Sequence, residues 1–266
     1  MPKVSAMSGS PGPSPRLGHA AAIYEDKMFI FGGHTISLPN GREVSNELFK
    51  LDLSSMQWSQ VDAVDTATLS NTQSVIDSQN MVKPLAYSAF TVLKDSARLA
   101  LFGGLSQDLA TGEFGVLNEV IFLELATEKW KMPSKVYANS MEDVPSARMG
   151  SSMVHYNDRL WVFEGGDPYG AGVLFPDYFS FNLSSGLWKK ENDYVELNTS
   201  DGSLLGQAVR MYNSDAVIFS GGCNIAMQTC SFGVTKSILF GQPSAHFNNG
   251  VVDLNNIAGR MGHSLV

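Results

Sequence analysis

One short pattern recurs four times in the 266-residue chain and constrains the fold more than any other feature. An apolar run ends in a glycine pair in KMFIFGG, RLALFGG, RLWVFEGG and DAVIFSGG, and the first glycines are Gly32, Gly103, Gly165 and Gly221. These glycines are 71, 62 and 56 residues apart. A repeat of this kind is typical of architectures in which each unit buries its apolar surface against the next one.

A second pattern follows every glycine pair at a nearly constant distance. The blocks FKLDLSSMQW, IFLELATEKW, FSFNLSSGLW and ILFGQPSAHF align without gaps and end in an aromatic residue, at Trp58, Trp130, Trp188 and Phe247. The first glycine and the closing aromatic are 26, 27, 23 and 26 residues apart. Because two independent patterns keep the same phase four times, we interpret each unit as one structural module.

Each module is predicted to contain four short strands, A to D. In the first module these are GHAAAIYE, KMFIFGG, ELFKLDL and a strand that begins at Trp58. Apolar residues alternate in FKLDL, as in a half-buried strand, and the joining segments YEDK, YNDR and LSSM are rich in turn formers. Four-stranded modules without helical patterns between them indicate an all-β chain, specifically the blades of a β-propeller.

Composition narrows the choice of partners. Only 17% of the residues are charged and the formal net charge is −8, which argues against general affinity for nucleic acid or an anionic membrane surface. No apolar run approaches the roughly 20 residues that a membrane-spanning helix needs. We therefore expect no nucleic-acid or membrane partner, and a cytoplasmic location with secretion as the open alternative.

The residues also resemble a known family. PSPRLGHAAAIYEDKMFIFGG followed by NELFKLDLSSMQWSQV is similar to a kelch repeat, and the third unit matches nearly as well. The second unit has PLAYSAF where the Arg-Gly element belongs, and the fourth lacks both that element and the tryptophan. The resemblance covers about 220 residues and is similar in form to Rab-effector, host-cell-factor and cell-end-marker kelch proteins. It implies a kelch-type β-propeller with four recognisable four-stranded blades.

The repeats divide the chain into predicted segments of a single kelch domain, residues 1–266. The blades are expected at 14–62, 84–133, 145–192 and 203–248, with a linker at 63–83. Residues 1–13 resemble a partial strand D with its linker, and residues 258–266 resemble the start of a further blade. We therefore expect an incomplete propeller with partial blade strands at both termini.

The glycine pairs and the closing aromatic residues are interpreted as architectural. Glycine permits positive φ and close backbone approach where strand B leaves the blade beside the central channel. The aromatic residue of strand D is expected to be mostly buried between neighbouring blades. The structural residues are Gly32, Gly33, Gly103, Gly104, Gly165, Gly166, Gly221, Gly222, Trp58, Trp130, Trp188 and Phe247.

Antiparallel strands place all B–C and D–A connections on one side of the propeller, here called the loop face. The long segments of the chain fall on this face, where functional residues concentrate. Arg16, Arg148 and Arg260 occupy the Pro-Arg-x-Gly position. In kelch substrate adaptors arginines at this position line the central pocket and grip acidic peptides, so the resemblance implies an acidic peptide segment as partner. The alternative left open is that each arginine ties neighbouring blades through backbone carbonyls or a carboxylate.

Other candidate partner-binding residues lie in the adjoining loops, and no catalytic set competes with them. These candidates are Arg42, Asn46, Asp167, Tyr169 and Phe175. No helical His pair, Walker loop, dinucleotide fingerprint or nucleophile elbow is present, so no catalytic residue, metal or cofactor is assigned. The prediction is a non-catalytic scaffold that binds another protein; the alternative is a propeller enzyme, such as a mutarotase, oxidase or specifier-like protein, with a small-molecule site at the channel mouth.

The two cysteines, Cys223 and Cys230, lie close together in CNIAMQTC. Two thiols do not complete a zinc site, which needs four ligands. We favour two free thiols, with a local disulfide as the alternative.

Overall fold

The computed structural model describes residues 12–37, 41–63, 82–108, 111–167, 173–191, 206, 208–211, 216–224, 229–230 and 235–239. Within these ranges nearly all regular structure is antiparallel β-sheet, and the helical pieces are two single 3-10 turns at Lys94–Ser96 and Met141–Asp143. The all-β prediction is confirmed.

The first blade contains strands close to those expected from the sequence. Its region contains β1 (Arg16–Leu17), β2 (Ala20–Tyr24), β3 (Lys27–Phe31), β4 (His34–Ser37), β5 (Gly41–Val44), β6 (Leu48–Asp52) and β7 (Gln57–Val61). Strands β2, β3, β6 and β7 form the four-stranded blade in that order, so each strand pairs with the next one along the blade. Strands β1, β4 and β5 form a separate small sheet.

The second and third blades repeat this plan with additions. The second has β8 (Leu85–Ala86), β9 (Ala89–Leu93), β10 (Arg98–Gln107), β11 (Phe114–Glu124) and β12 (Lys129–Lys131). The third has β13 (Tyr137–Ala138), β14 (Ser152–Tyr156), β15 (Arg159–Phe163), β16 (Gly166–Asp167), β17 (Val173–Leu174), β18 (Tyr178–Asn182) and β19 (Leu187–Lys190). Strand β13 joins the outer edge of the third blade, parallel to β19.

The fourth blade is described in part. Its strands are β20 (Ala208–Met211), β21 (Ala216–Ser220), β22 (Cys223–Asn224), β23 (Thr229–Cys230) and β24 (Thr235–Leu239). Strands β20, β21 and β24 form one sheet, and β22 pairs with β23. Phe247 lies outside the described residues. The exact blade boundaries and the incomplete ring stay predictions.

The core lies between the blades rather than within one sheet, because alternate residues of a strand face opposite sides. In β10, Leu99 and Leu101 pack toward the first blade, whereas Ala100 and Phe102 pack toward the third. All four are at most 1% exposed. A further cluster around Phe163 joins the third blade to the fourth. The two-residue period in the sequence is therefore the pattern by which each blade contacts two neighbours.

The tryptophans of the outer strands are buried in the core between the blades to different extents. Trp130 is 3% exposed and Trp188 is 2% exposed. The Trp130 ring is 4.9 Å from that of Phe31, and the Trp188 ring is 5.6 Å from that of Phe102, each in the preceding blade. Trp58 is only half-buried and lies against Gly12. Trp58 is therefore less buried than the other two tryptophans, since no such phenylalanine lies beside its ring among the described residues.

The glycine pairs are explained by contacts between blades. The Gly33 amide donates to the Leu85 carbonyl at 2.8 Å, and the Gly104 amide donates to the Arg148 carbonyl at 2.9 Å. These carbonyls lie at the entry to strand A of the next blade. A side chain on Gly32 would overlap the Leu85 carbonyl oxygen. The glycines therefore permit the close approach of one blade to the next.

The third glycine pair is displaced by one residue from its place in the sequence alignment. Glu164 has φ of 53° and Gly165 has φ of 94°, which match the values of 67° and 92° at Gly32 and Gly33. The structural counterpart of Gly32 is therefore Glu164, not Gly165. A residue with a side chain in this left-handed region is strained by about 1–3 kcal/mol, and the surrounding hydrogen bonds must hold it there.

We expect Gly103→Ala to lower the free energy of unfolding by about 2–3 kcal/mol and Gly112→Ala by about 1 kcal/mol. Both glycines have positive φ, 60° and 75°. A Cβ on Gly103 would lie 2.6 Å from the Arg148 carbonyl oxygen, whereas one on Gly112 would meet nothing within 4 Å. Urea unfolding of both variants separates the cost of the close contact with the Arg148 carbonyl from the cost of backbone strain. Equal losses of stability in the two variants would show that the contact adds nothing.

The cysteines differ from the favoured expectation. Cys223 is disulfide-bonded, and Cys230, the other cysteine of the chain, is its backbone partner across the β22–β23 hairpin. The expectation of two free thiols is wrong, and the local disulfide is the correct alternative. Cross-strand neighbours have the close Cα spacing that a disulfide requires.

Candidate functional site on the loop face

The B–C connections form a second tier of structure above the blades. Each connection contains a short hairpin, here called an upper hairpin: β4–β5, the distal halves of β10–β11, β16–β17 and β22–β23. In the first three blades the residues that lead into strand A pair with the hairpin, as β1 does with β4. The lead-in segments therefore connect the upper hairpins to the blades.

A chain of backbone hydrogen bonds links the four lead-in segments. The Tyr87 amide donates to the Gly18 carbonyl at 2.6 Å, the Gly150 amide to the Tyr87 carbonyl at 2.8 Å, and the Gly206 amide to the Gly150 carbonyl at 2.8 Å. All four residues have φ between 56° and 68°. Tyr87 is the one non-glycine among them, so the second blade carries a large aromatic side chain where the others have none.

Arg148 is buried and its charge is compensated. Its side chain is fully buried, and Nη1 donates to Asp177 Oδ1 at 2.6 Å and to the Glu164 carbonyl at 3.0 Å. The Nε atom donates to the Ser146 carbonyl at 2.9 Å. The guanidinium carbon is 4.5 Å from the centre of the Phe175 ring. A fully buried charge must be paired in this way to be tolerated.

Arg16 makes the same contacts in the first blade. Its side chain is 3% exposed, Nη1 donates to the Gly32 carbonyl at 3.0 Å, and Nη2 donates to Glu47 Oε2 at 2.9 Å. The guanidinium carbon lies 5.2 Å from the centre of the Phe49 ring. The two arginines therefore form equivalent internal clamps: arginine, carboxylate, strand-B carbonyl and aromatic ring.

These clamps favour the alternative that the sequence left open. Arg16 and Arg148 hold their own blades to their lead-in segments, and neither presents a free guanidinium to a partner. At the equivalent position of the second blade stands Leu85, which is 1% exposed. In the three blades where the structure describes this position, it is filled either by a paired arginine or by an aliphatic side chain.

The remaining sequence candidates are dispersed. Asn46 donates to the Val82 carbonyl at 3.2 Å and so ties two blades. Phe175 is half-buried under Arg148, and Asp167 is half-buried in β16. Arg42 lies in β5. Tyr169 and Arg260 lie outside the described residues. The structure brings Arg148 and Phe175 together, but the described candidates do not cluster into a single site.

The sequence reasoning missed a contiguous surface at the first two upper hairpins. We call it the aromatic patch: Leu17, His34, Tyr87 and Phe114. The His34 ring is 5.6 Å from that of Tyr87 and 6.4 Å from that of Phe114, and Leu17 is the cross-strand partner of His34. Leu17 is 40% exposed and Phe114 is 41% exposed. The sequence did contain one indication of this patch: Tyr87, an aromatic residue, stands where the other units have the glycine of the Arg-Gly element.

The upper hairpins are acidic. The segments 34–46, 105–118, 167–177 and 223–234 contain one cationic residue, Arg42, and five carboxylates: Glu43, Asp108, Glu113, Asp167 and Asp177. Asp177 is neutralised by Arg148, whereas Glu43, Asp108 and Glu113 are exposed. Partial desolvation and the nearby charge of Arg16 hold the pKa of His19 below its ordinary value.

The described residues hold no group of three or more His, Cys, Asp or Glu side chains that could bind a metal ion. No described helix is long and apolar enough to cross a membrane.

Blades joined by glycine pairs and closed by outer-strand tryptophans define a kelch β-propeller. The chain belongs to the Attractin/LZTR1 β-propeller family, whose model matches residues 3–138. The family prediction is confirmed.

The individual relatives differ in what their names describe. Tip elongation aberrant protein 1 of Schizosaccharomyces pombe is 27% identical over 155 residues, which are 58% of this chain and 12% of that protein. N-(sulfonatooxy)prop-2-enimidothioate sulfolyase of Thlaspi arvense is 23% identical over 188 residues, 70% of this chain and 46% of that protein. The solved structure of YjhT has a TM-score of 0.54 at 15% identity and covers 78% of this chain and 59% of that one.

These matches support protein binding as the common role of such propellers without deciding this chain's role. The matched part of this chain is a small share of its first relative, and the sulfolyase is an enzyme by name. A single fold can host both binding and catalytic functions.

Proposed function

We propose that the chain is a non-catalytic interaction scaffold that binds a segment of another protein on its loop face. The observation that carries this proposal is the aromatic patch, where Leu17 and Phe114 expose apolar surface beside Tyr87 and His34. Aromatic side chains are enriched in protein interfaces relative to the rest of the surface.

The rigidity of the patch supports the same role. Tyr87 is fixed by backbone hydrogen bonds to Gly18 and Gly150, and the Val44 amide of the first upper hairpin donates to Gln107 of the second at 3.2 Å. A surface that is ordered before binding loses little entropy when a partner docks. Enzyme function remains the second candidate on family grounds alone, since no described cluster of polar side chains favours it.

The test uses two pairs of exposed apolar residues on opposite faces. A partner is first selected by two-hybrid screening with the wild-type protein as bait. Leu17→Ala and Phe114→Ala on the loop face should each weaken binding about tenfold, because each removes part of the apolar contact. Binding of the purified partner is measured by titration calorimetry.

The matched controls are Ile23→Ala and Met56→Ala. These residues are 52% and 50% exposed and lie beside the A–B and C–D turns on the other face. Unchanged affinity is expected for both. Losses confined to Ile23→Ala and Met56→Ala would place the partner on the opposite face.

A further inference from the structure

The charges around the aromatic patch bear on the chemistry of the partner, and this step rests on the proposed function. The patch is built from His34, Tyr87, Phe114 and Leu17, of which none carries a permanent charge. The exposed carboxylates of the same two hairpins are Glu43, Asp108 and Glu113. Glu113 directly precedes Phe114, and its carbonyl accepts from the Asp108 amide at 2.9 Å.

Two of the positive charges that would attract an acidic partner are already used. Arg16 and Arg148 are buried and paired with Glu47 and Asp177. The net charge of the whole chain is −8. The first two upper hairpins carry three exposed carboxylates against one cationic residue, Arg42. Both the local and the overall charge therefore attract cationic segments and repel acidic ones.

We propose that the aromatic patch binds an extended partner segment that carries lysine or arginine beside a large apolar residue. The apolar side chain packs on Leu17 and Phe114. The cationic group lies over the ring faces of Tyr87 or Phe114, which attract cations, within reach of the carboxylates at the tip of the second upper hairpin. This chemistry replaces the acidic peptide expected from the sequence.

The experiment pans a phage-displayed library of random 12-residue peptides on the immobilised 266-residue protein, with the bare support as reference. Enriched peptides are expected to have positive net charge and at least one large apolar residue. Enrichment of acidic or uncharged peptides, or none above the reference, would overturn the proposal.

A fluorescent copy of the most enriched peptide then locates the site by anisotropy. Phe114→Ser and Glu113→Lys are each expected to weaken binding at least tenfold, and added NaCl should weaken binding to the wild type more than to Glu113→Lys. The controls Ile23→Ser and Glu25→Lys make the same chemical changes beside an A–B turn and should leave binding unchanged. Equal losses in the control variants would refute the patch.

The outcomes separate the two proposals. An acidic peptide whose binding is lost in Phe114→Ser would overturn the cationic chemistry and leave the loop face as the partner site. A peptide of any charge whose binding is lost only in Ile23→Ser and Glu25→Lys would overturn both proposals.

Discussion

Replacing Trp188 with alanine should lower the free energy of unfolding by about 3–5 kcal/mol, as for other buried large-to-small changes. The indole is 2% exposed. It is 5.6 Å from the Phe102 ring in the second blade and 5.0 Å from the Phe181 ring in its own blade. The cavity left by the substitution would lie in the layer that joins two blades. Urea unfolding followed by far-UV circular dichroism measures the loss.

The matched control is Trp58→Ala, the same substitution at the equivalent position of the first blade. Trp58 is half-buried, so less apolar surface returns to water and a smaller cavity forms. We expect a clearly smaller loss than for Trp188. Equal losses at the two positions would show that the tryptophans act within their own blade and do not join neighbouring blades.

Much of the fold could be predicted because the paired strands of a propeller blade lie close together in the sequence. The first blade was predicted from alternation and turn residues, and β2 (Ala20–Tyr24) and β3 (Lys27–Phe31) lie within those segments. The glycine register failed once, at Glu164, where the sequence has glycines one residue later. Backbone conformation there depends on contacts from Asp177 and Arg148, which no local pattern reveals.

The site was less predictable because it depends on which side chains are already satisfied. The Pro-Arg-x-Gly element locates Arg148 at the entry to strand A of its blade, but it does not show that the guanidinium already donates to Asp177 and to the Glu164 carbonyl. Tyr87 and Phe114 are more than twenty residues apart in the chain. They share a patch only because β8 and β11 both pair with β10.

The clamp around Arg148 makes a second large prediction. Asp177→Ala should lower the free energy of unfolding by about 3–5 kcal/mol, because it leaves a buried arginine without its counter-charge. The Arg148 side chain is 0% exposed and that of Asp177 is 23% exposed, so the charge that loses its partner lies in the interior of the protein. Urea unfolding gives the loss. The control is Glu47→Ala at the equivalent position in the first blade, where the carboxylate is 39% exposed and the Arg16 side chain is 3% exposed; a smaller loss than for Asp177→Ala is expected, because the more exposed carboxylate gives water better access to the arginine.

The second blade suggests how to separate the ion pair from ordinary packing. Leu85 fills the position of Arg148 there and is 1% exposed, so an aliphatic side chain fits this site in the chain's own fold. Arg148→Leu together with Asp177→Ala should therefore cost less than Asp177→Ala alone, since the uncompensated charge is gone. A double-mutant cycle should give a coupling of about 1–3 kcal/mol. Strictly additive losses would mean that Arg148 contributes through its contact with Phe175 and its backbone hydrogen bonds, and that Asp177 is not its essential partner.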